Sequence, residues 1–318
     1  MPPQIAGSAV RSALTRRNFL QTTGLAATTL SLASFRQVLA STDAEIPLIV
    51  DCHAHVYGTD ESKYPTIANP YRPPNGKGTV AHLRKQLATA GVGFATAVQT
   101  STYYGWDNRC LADAARDNAD LLVGICTLNP DDAGSPALLE TYVREYNIRG
   151  LRSIPGISSR YVDAGVEALW AAAERLGIVV NVNAGREKRA EIESLARRHS
   201  GLRVVIDHCL YLTAGKDGEA VLGDMLRLSR LPNVYAKLSC VVTGSAENYP
   251  FADMHEPCRK LIAAFGPDRC VWGSDFPCEL WCPKATYAEH LRVFTHEMGL
   301  DAEAKRWVVG QTARRLYF

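Results

Sequence analysis

The sequence lacks a long apolar run, a CxxC pair and a strong charge of either sign, and each absence removes a class of protein. The stretch from Leu20 to Phe35 is diluted with Thr, Ser, Ala and Gly, too weakly hydrophobic and slightly short for a stable membrane span. The nine cysteines form no CxxC zinc pair, and an odd number cannot all pair within one chain. Cys278-x-x-x-Cys282 is only a weak disulfide or ligand pattern, while Cys52, Cys209, Cys240 and Cys270 sit in or beside strand-like runs, as small buried apolar residues do. The formal charge is +2, and that excess belongs to the first forty residues. Arg11, Arg16, Arg17 and Arg36 fall there with no acid, leaving 31 basic against 33 acidic residues. The near-neutral remainder offers no nucleic-acid-binding face. No GxGxxG and no phosphate loop follows the first strand-like run, which counts against an open nucleotide-binding sheet.

What is present begins with an export pattern. Thr15-Arg16-Arg17-Asn18-Phe19-Leu20 is a twin-arginine sequence, followed by the mildly apolar segment and by Val38-Leu39-Ala40, whose small residues suit a signal peptidase. Residues 1–40 are therefore expected to be a twin-arginine signal peptide. The export machinery would be a partner, and the mature domain, 41–318, would be periplasmic or extracellular.

From residue 47 onward short apolar runs alternate with longer helix-like segments. The expected strands are Leu48–His53, Phe94–Gln99, Leu121–Thr127, Gly150–Ile154, Ile178–Asn183, Arg203–His208, Val234–Ser239 and Cys270–Ser274. The segments between them repeat apolar residues at helical spacing, and Gly91, Gly177 and Gly266 stand where helices should end. Eight strands alternating with helices predict a parallel sheet with right-handed crossovers, closed most simply as a single-domain (β/α)₈ TIM barrel. Apolar residues make up 47% of the chain, enough for one large core, and no linker or second domain interrupts it.

In such a barrel the carboxyl ends of the strands share one face, where catalytic residues collect. His53 and His55 close the first strand-like run; being two apart, they present both imidazoles to one spot. His208 closes the sixth run and Asp275 follows the eighth. Three histidines and a carboxylate so placed make a hydrolytic centre acting on a small molecule. Arg152 and Lys237, towards the loop-bearing ends of their strands, are candidate anchors for a substrate carboxylate or hydroxyls, although Arg152 could instead pair with Asp51 or Asp207. Tyr103 and Trp281 lie in loops of that face and are candidate pocket walls.

Asp51-Cys52-His53-Ala54-His55, Ile206-Asp207-His208 and Gly273-Ser274-Asp275-Phe276-Pro277, in this order, resemble the amidohydrolase superfamily, in its amidohydrolase-related branch. The resemblance runs over residues 47–318 and includes Gln311-Thr312-Ala313-Arg314-Arg315-Leu316-Tyr317 as the closing helix. Two departures matter. Asparagine, Asn181 or Asn183, stands in the fifth strand where many metal-bearing relatives have histidine, and Arg152 occupies the fourth, where binuclear relatives carry a bridging ligand. The resemblance thus implies at most one divalent metal, zinc or manganese, on His53, His55 and Asp275 with His208 or a water, and it leaves a metal-free mechanism open. Asn183 would then contact substrate. The combination is most similar to the lactonases of the branch, of the pyrone-dicarboxylate lactonase and fuconolactonase type. It implies hydrolysis of a lactone of a sugar acid or an aromatic-catabolic acid, with Asp275 as general base toward water. A metal-dependent decarboxylase of the same superfamily and a non-catalytic sugar-acid-binding barrel are the alternatives. The sequence leaves the oligomeric state open.

Overall fold

A computed structural model describes residues 48–318, so the expected signal peptide and the first residues of the domain lie outside the described residues. Eight parallel strands form one sheet in sequence order: β1 (Val50–Ala54), β2 (Phe94–Val98), β3 (Leu122–Cys126), β4 (Ile148–Ser153), β5 (Val179–Val182), β6 (Val204–Ile206), β7 (Val234–Lys237) and β8 (Cys270–Val271). Helices Val80–Ala90, Arg109–Asp117, Ser135–Glu145, Ala164–Leu176, Arg189–Arg198, Lys216–Leu228 and His255–Phe265 fill the seven intervals, which makes the sheet the expected (β/α)₈ barrel.

The strands are short and almost wholly buried because both of their faces are covered. Leu83, Leu87, Trp170, Ile192, Leu195, Met225 and Leu261 pack the helices onto the outside. Val50, Val123, Val179, Val205 and Val271 fill the inside together with Leu316 and Tyr317 of the C-terminal helix. Tyr317 also donates to Asn181 Oδ1 at 2.7 Å, so that asparagine is spent inside the barrel rather than at its mouth. Local signals agree with the layout. Thr79 and Asp163 cap their helices by accepting from the amides of His82 and Gly165, and Gly91 and Gly177 end those helices with φ of 70° and 67°.

The seam between β1 and β8 is held by one buried carboxylate. Asp51 accepts from the backbone amides of His53 (3.0 Å) and Ser274 (2.9 Å), from the Ser274 hydroxyl (2.5 Å) and from Tyr287 (3.0 Å). Backbone bonds from Cys52 to Trp272 and from His55 to Phe276 complete the closure. Asp51 therefore serves the frame and leaves the cavity to its neighbours.

Candidate active site

From β2 to β8 the strands end earlier than the sequence pattern suggests, whereas β1 runs one residue further, to Ala54, and His55, His208 and Asp275 stand just beyond the strand ends. His53 is within β1, but His55 follows it, after a register shift between Asp51 and Ala54. His208 opens a turn in which His208, Cys209, Leu210 and Tyr211 all have left-handed backbones, with φ from 49° to 59°. Asp275, with φ 56°, lies four residues past β8. Left-handed conformations cost non-glycine residues about 1–2 kcal/mol each, and such strain concentrates where function fixes a side chain's direction.

These turns aim four side chains at one point. The His53 ring lies 4.9 Å from that of His55 and 4.7 Å from that of His208, centroid to centroid. Asp275 Oδ1 is 3.5 Å from His53 Nε2 and 3.6 Å from His55 Nε2. The approach depends on Gly273, where a Cβ would come within 2.7 Å of the His53 Cβ and 2.9 Å of its amide nitrogen. His208 is steadied by a 2.9 Å hydrogen bond between Nδ1 and the Ser239 hydroxyl and by Tyr211 stacked on its ring.

Electrostatics divide the roles. Burial alone would raise the Asp275 carboxyl, but the facing His208 and His55 imidazoles and Arg152 outweigh it and hold the group below its ordinary value. Asp275 is thus an anion at neutral pH. Burial lowers His208 and, reinforced by Lys237, lowers His53 much further, so both rings are neutral. Beneath them Asp207 pairs with Lys237 (2.8 Å) and Arg152 (3.2 Å), and these charges outweigh its own burial to keep it ionised.

The cavity above these residues has a volume of about 220 Å³ and is lined by His55, Thr100, Ser101, Thr102, Arg152, Asn183, His208, Tyr211, Thr243, Asp275 and Trp281. Arg152, Asn183 and Trp281 therefore stand where the sequence suggests, although Arg152 is also tied to Asp207. Lys237 does not reach the cavity. It is fully buried under His53, because its partner Asp207 draws the ammonium inward. Tyr103 also stands apart, packed with Tyr57 and Tyr104 and bonded to Arg72 and Glu61. Sequence reasoning missed Tyr211, which bonds Asn183 Oδ1, and the hydroxyl row Thr100 to Thr102. Loop hydroxyls carry no periodic signal, and only the position of the row directly after β2 could have marked it. All nine cysteines are free and buried.

His53, His55 and Asp275 could hold one cation, since a ligand atom from each lies within 4.8 Å of the others. His55 fits best. Its Nδ1 donates to the Val98 carbonyl at 2.8 Å, which leaves Nε2 as the ring nitrogen facing the Asp275 carboxylate. A ring nitrogen and a carboxylate so placed can share a cation or a proton.

Comparison with known proteins agrees with this architecture. The chain is 28% identical to an L-fucono-1,5-lactonase of Burkholderia ambifaria over 206 residues, 61% of this chain and 68% of that protein. It is 27% identical to a 2-pyrone-4,6-dicarboxylate hydrolase of Comamonas testosteroni over 248 residues, 72% of this chain and 76% of the other. Among solved structures, an amidohydrolase from Burkholderia multivorans with bound zinc superposes with a TM-score of 0.68 at 23% identity, covering 85% of this chain and 99% of that one. The amidohydrolase family model matches residues 50–318, the whole barrel with its histidines and aspartate, and the chain belongs to the amidohydrolase family.

Proposed function

We propose that this protein is a lactonase whose substrate is an uncharged, polyhydroxylated sugar lactone. Lactone hydrolysis is the activity named for the L-fucono-1,5-lactonase it resembles, and the site carries the groups the reaction needs. The choice of substrate rests on one observation, the lining of the cavity. Thr100, Ser101, Thr102, Thr243, Tyr211 and Asn183 offer neutral hydroxyls and an amide, while Arg152 is the one lysine or arginine lining the cavity among the described residues and is already engaged by Asp207. A dicarboxylate would call for two cationic partners, because unpaired anions are costly to desolvate. Ring hydroxyls are satisfied by the groups present.

In this reading the Asp275 carboxylate takes a proton from water as its oxygen attacks the lactone carbonyl. Negative charge gathers on the carbonyl oxygen and is met by imidazole N–H groups and by Arg152. Collapse of the tetrahedral centre breaks the bond to the ring oxygen, and the protonated Asp275 returns its proton to that oxygen as the hydroxyl forms. Where a divalent cation is bound, His53, His55 and Asp275 would hold it, and it would polarise the carbonyl and acidify water. The missing strand-five histidine counts against a decarboxylase, which wants a firmly held metal, and an ionised base aimed into a cavity is superfluous in a mere binder.

The test is a panel of sugar lactones, uncharged simple lactones and 2-pyrone-4,6-dicarboxylate, followed by acid release. A kcat/KM for a sugar lactone at least about tenfold above that for the dicarboxylate is expected, about 1.4 kcal/mol of discrimination. Preference for the dicarboxylate would refute the sugar assignment, and no turnover of any lactone would refute the lactonase. We further propose that residues 1–40 direct export of the folded enzyme; replacing Arg16 and Arg17 with lysine should retain it in the cytoplasm, and undiminished export would exclude the twin-arginine route.

A further inference from the structure

We propose that Lys237 is a positioning residue that acts through His53 to disfavour a cation at the His53, His55 and Asp275 cluster. The two imidazoles of β1 are held in opposite ways. His55 Nδ1 meets a backbone carbonyl, the arrangement that leaves Nε2 free to ligate. His53 Nδ1 instead meets the Lys237 ammonium at 3.3 Å. An ammonium has three donors and no acceptor, so Nδ1 must accept and the proton of the neutral ring sits on Nε2.

That Nε2 is the atom facing Asp275 at 3.5 Å, and it is buried with no hydrogen-bond partner among the described residues. It is a donor directed into the site. For His53 to ligate a cation, its proton would have to leave Nε2 and reappear on Nδ1, pointing at the ammonium. Among the described residues the one carboxylate within range, Asp207 Oδ1, is 3.9 Å from Nδ1, beyond a good hydrogen bond, and is paired with Lys237 at 2.8 Å. Two of the three candidate ligands are therefore ready for a cation and the third is held against it. Lys237 is wholly enclosed and is not among the residues lining the cavity; it meets the cluster at His53, while its pairing with Asp207 leads to Arg152 instead. The proposal is independent of which lactone is opened.

Zinc titration of the metal-stripped full-length protein by calorimetry tests it, with Lys237→Gln and Lys237→Arg compared against wild type. The glutamine amide oxygen accepts from Nδ1–H while its N–H₂ still serves Asp207, so K237Q should bind zinc at least about tenfold more tightly, the usual reach of an outer hydrogen bond on a metal site. K237R keeps only donors and should gain nothing. Adding Asp275→Asn to K237Q should erase the gain. Equal or weaker binding by folded K237Q, an equal gain in K237R, or a gain that survives D275N would overturn the proposal. Should K237Q not fold, the imidazole ¹⁵N signals of the metal-free wild type decide: a proton on His53 Nε2 supports it and a proton on Nδ1 overturns it.

Discussion

Lowering the pH from 7 to 5 should weaken the fold through His290 by an amount the structure specifies. His290 is wholly buried behind the eighth strand, its Nδ1 accepting from Trp272 Nε1 at 3.0 Å. Burial, only partly opposed by the nearby Asp275 charge, pushes its pKa down to about 4 from the ordinary 6.5. In the unfolded chain the ring takes up a proton as the pH falls through about 6.5, whereas in the fold it refuses that proton until about pH 4. The unfolded state thus binds more protons across this window, so stability rises with pH and is lost as pH falls. At pH 5 about 1.5 units of the window have been crossed, worth roughly 2 kcal/mol at 1.36 kcal/mol per unit. His290→Gln keeps an acceptor for Trp272 and cannot titrate. Urea unfolding of both proteins at pH 7 and pH 5 isolates the term, because His53, His208 and Asp207 contribute alike to each. Wild type should lose roughly 2 kcal/mol more than H290Q between the two pH values. Equal losses would refute the assignment.

Two other substitutions separate geometry from chemistry. Gly273→Ala places a methyl group against His53 and should cost at least about tenfold in kcat/KM, since displacing a catalytic group by less than an ångström is enough for that; near-normal kinetics would show that the β1–β8 seam yields without moving His53. Tyr211→Phe removes only the hydroxyl that bonds Asn183 from a half-exposed ring, so the melting temperature should hold while KM rises several-fold; an unchanged KM would take Asn183's orientation out of substrate binding.

The barrel was legible because its strands and helices differ in period and its helices carry their own stop signals, Gly91 and Gly177 among them. His53 and Asp275 were legible for a related reason, since each follows an apolar run whose end defines the catalytic face. Lys237 was misread because alternation along β7 says which side a residue faces and nothing of how deep it lies; Asp207, a partner from the neighbouring strand, set the depth. Tyr103 was misread because loop aromatics pack on one another as readily as on a ligand. The left-handed turn from His208 to Tyr211 contains no glycine and leaves no trace in the sequence, yet it brings Tyr211 over His208.

The central claim, that the Asp275 carboxylate is the base of a lactone hydrolysis, is tested most directly by Asp275→Asn assayed on the best sugar lactone of the panel. The amide is nearly isosteric, so circular dichroism and melting should match wild type. With the base gone, kcat/KM should fall by about a thousandfold. A folded D275N enzyme retaining more than about a third of wild-type kcat/KM would contradict the account, since losing a general base ordinarily costs a hundredfold or more.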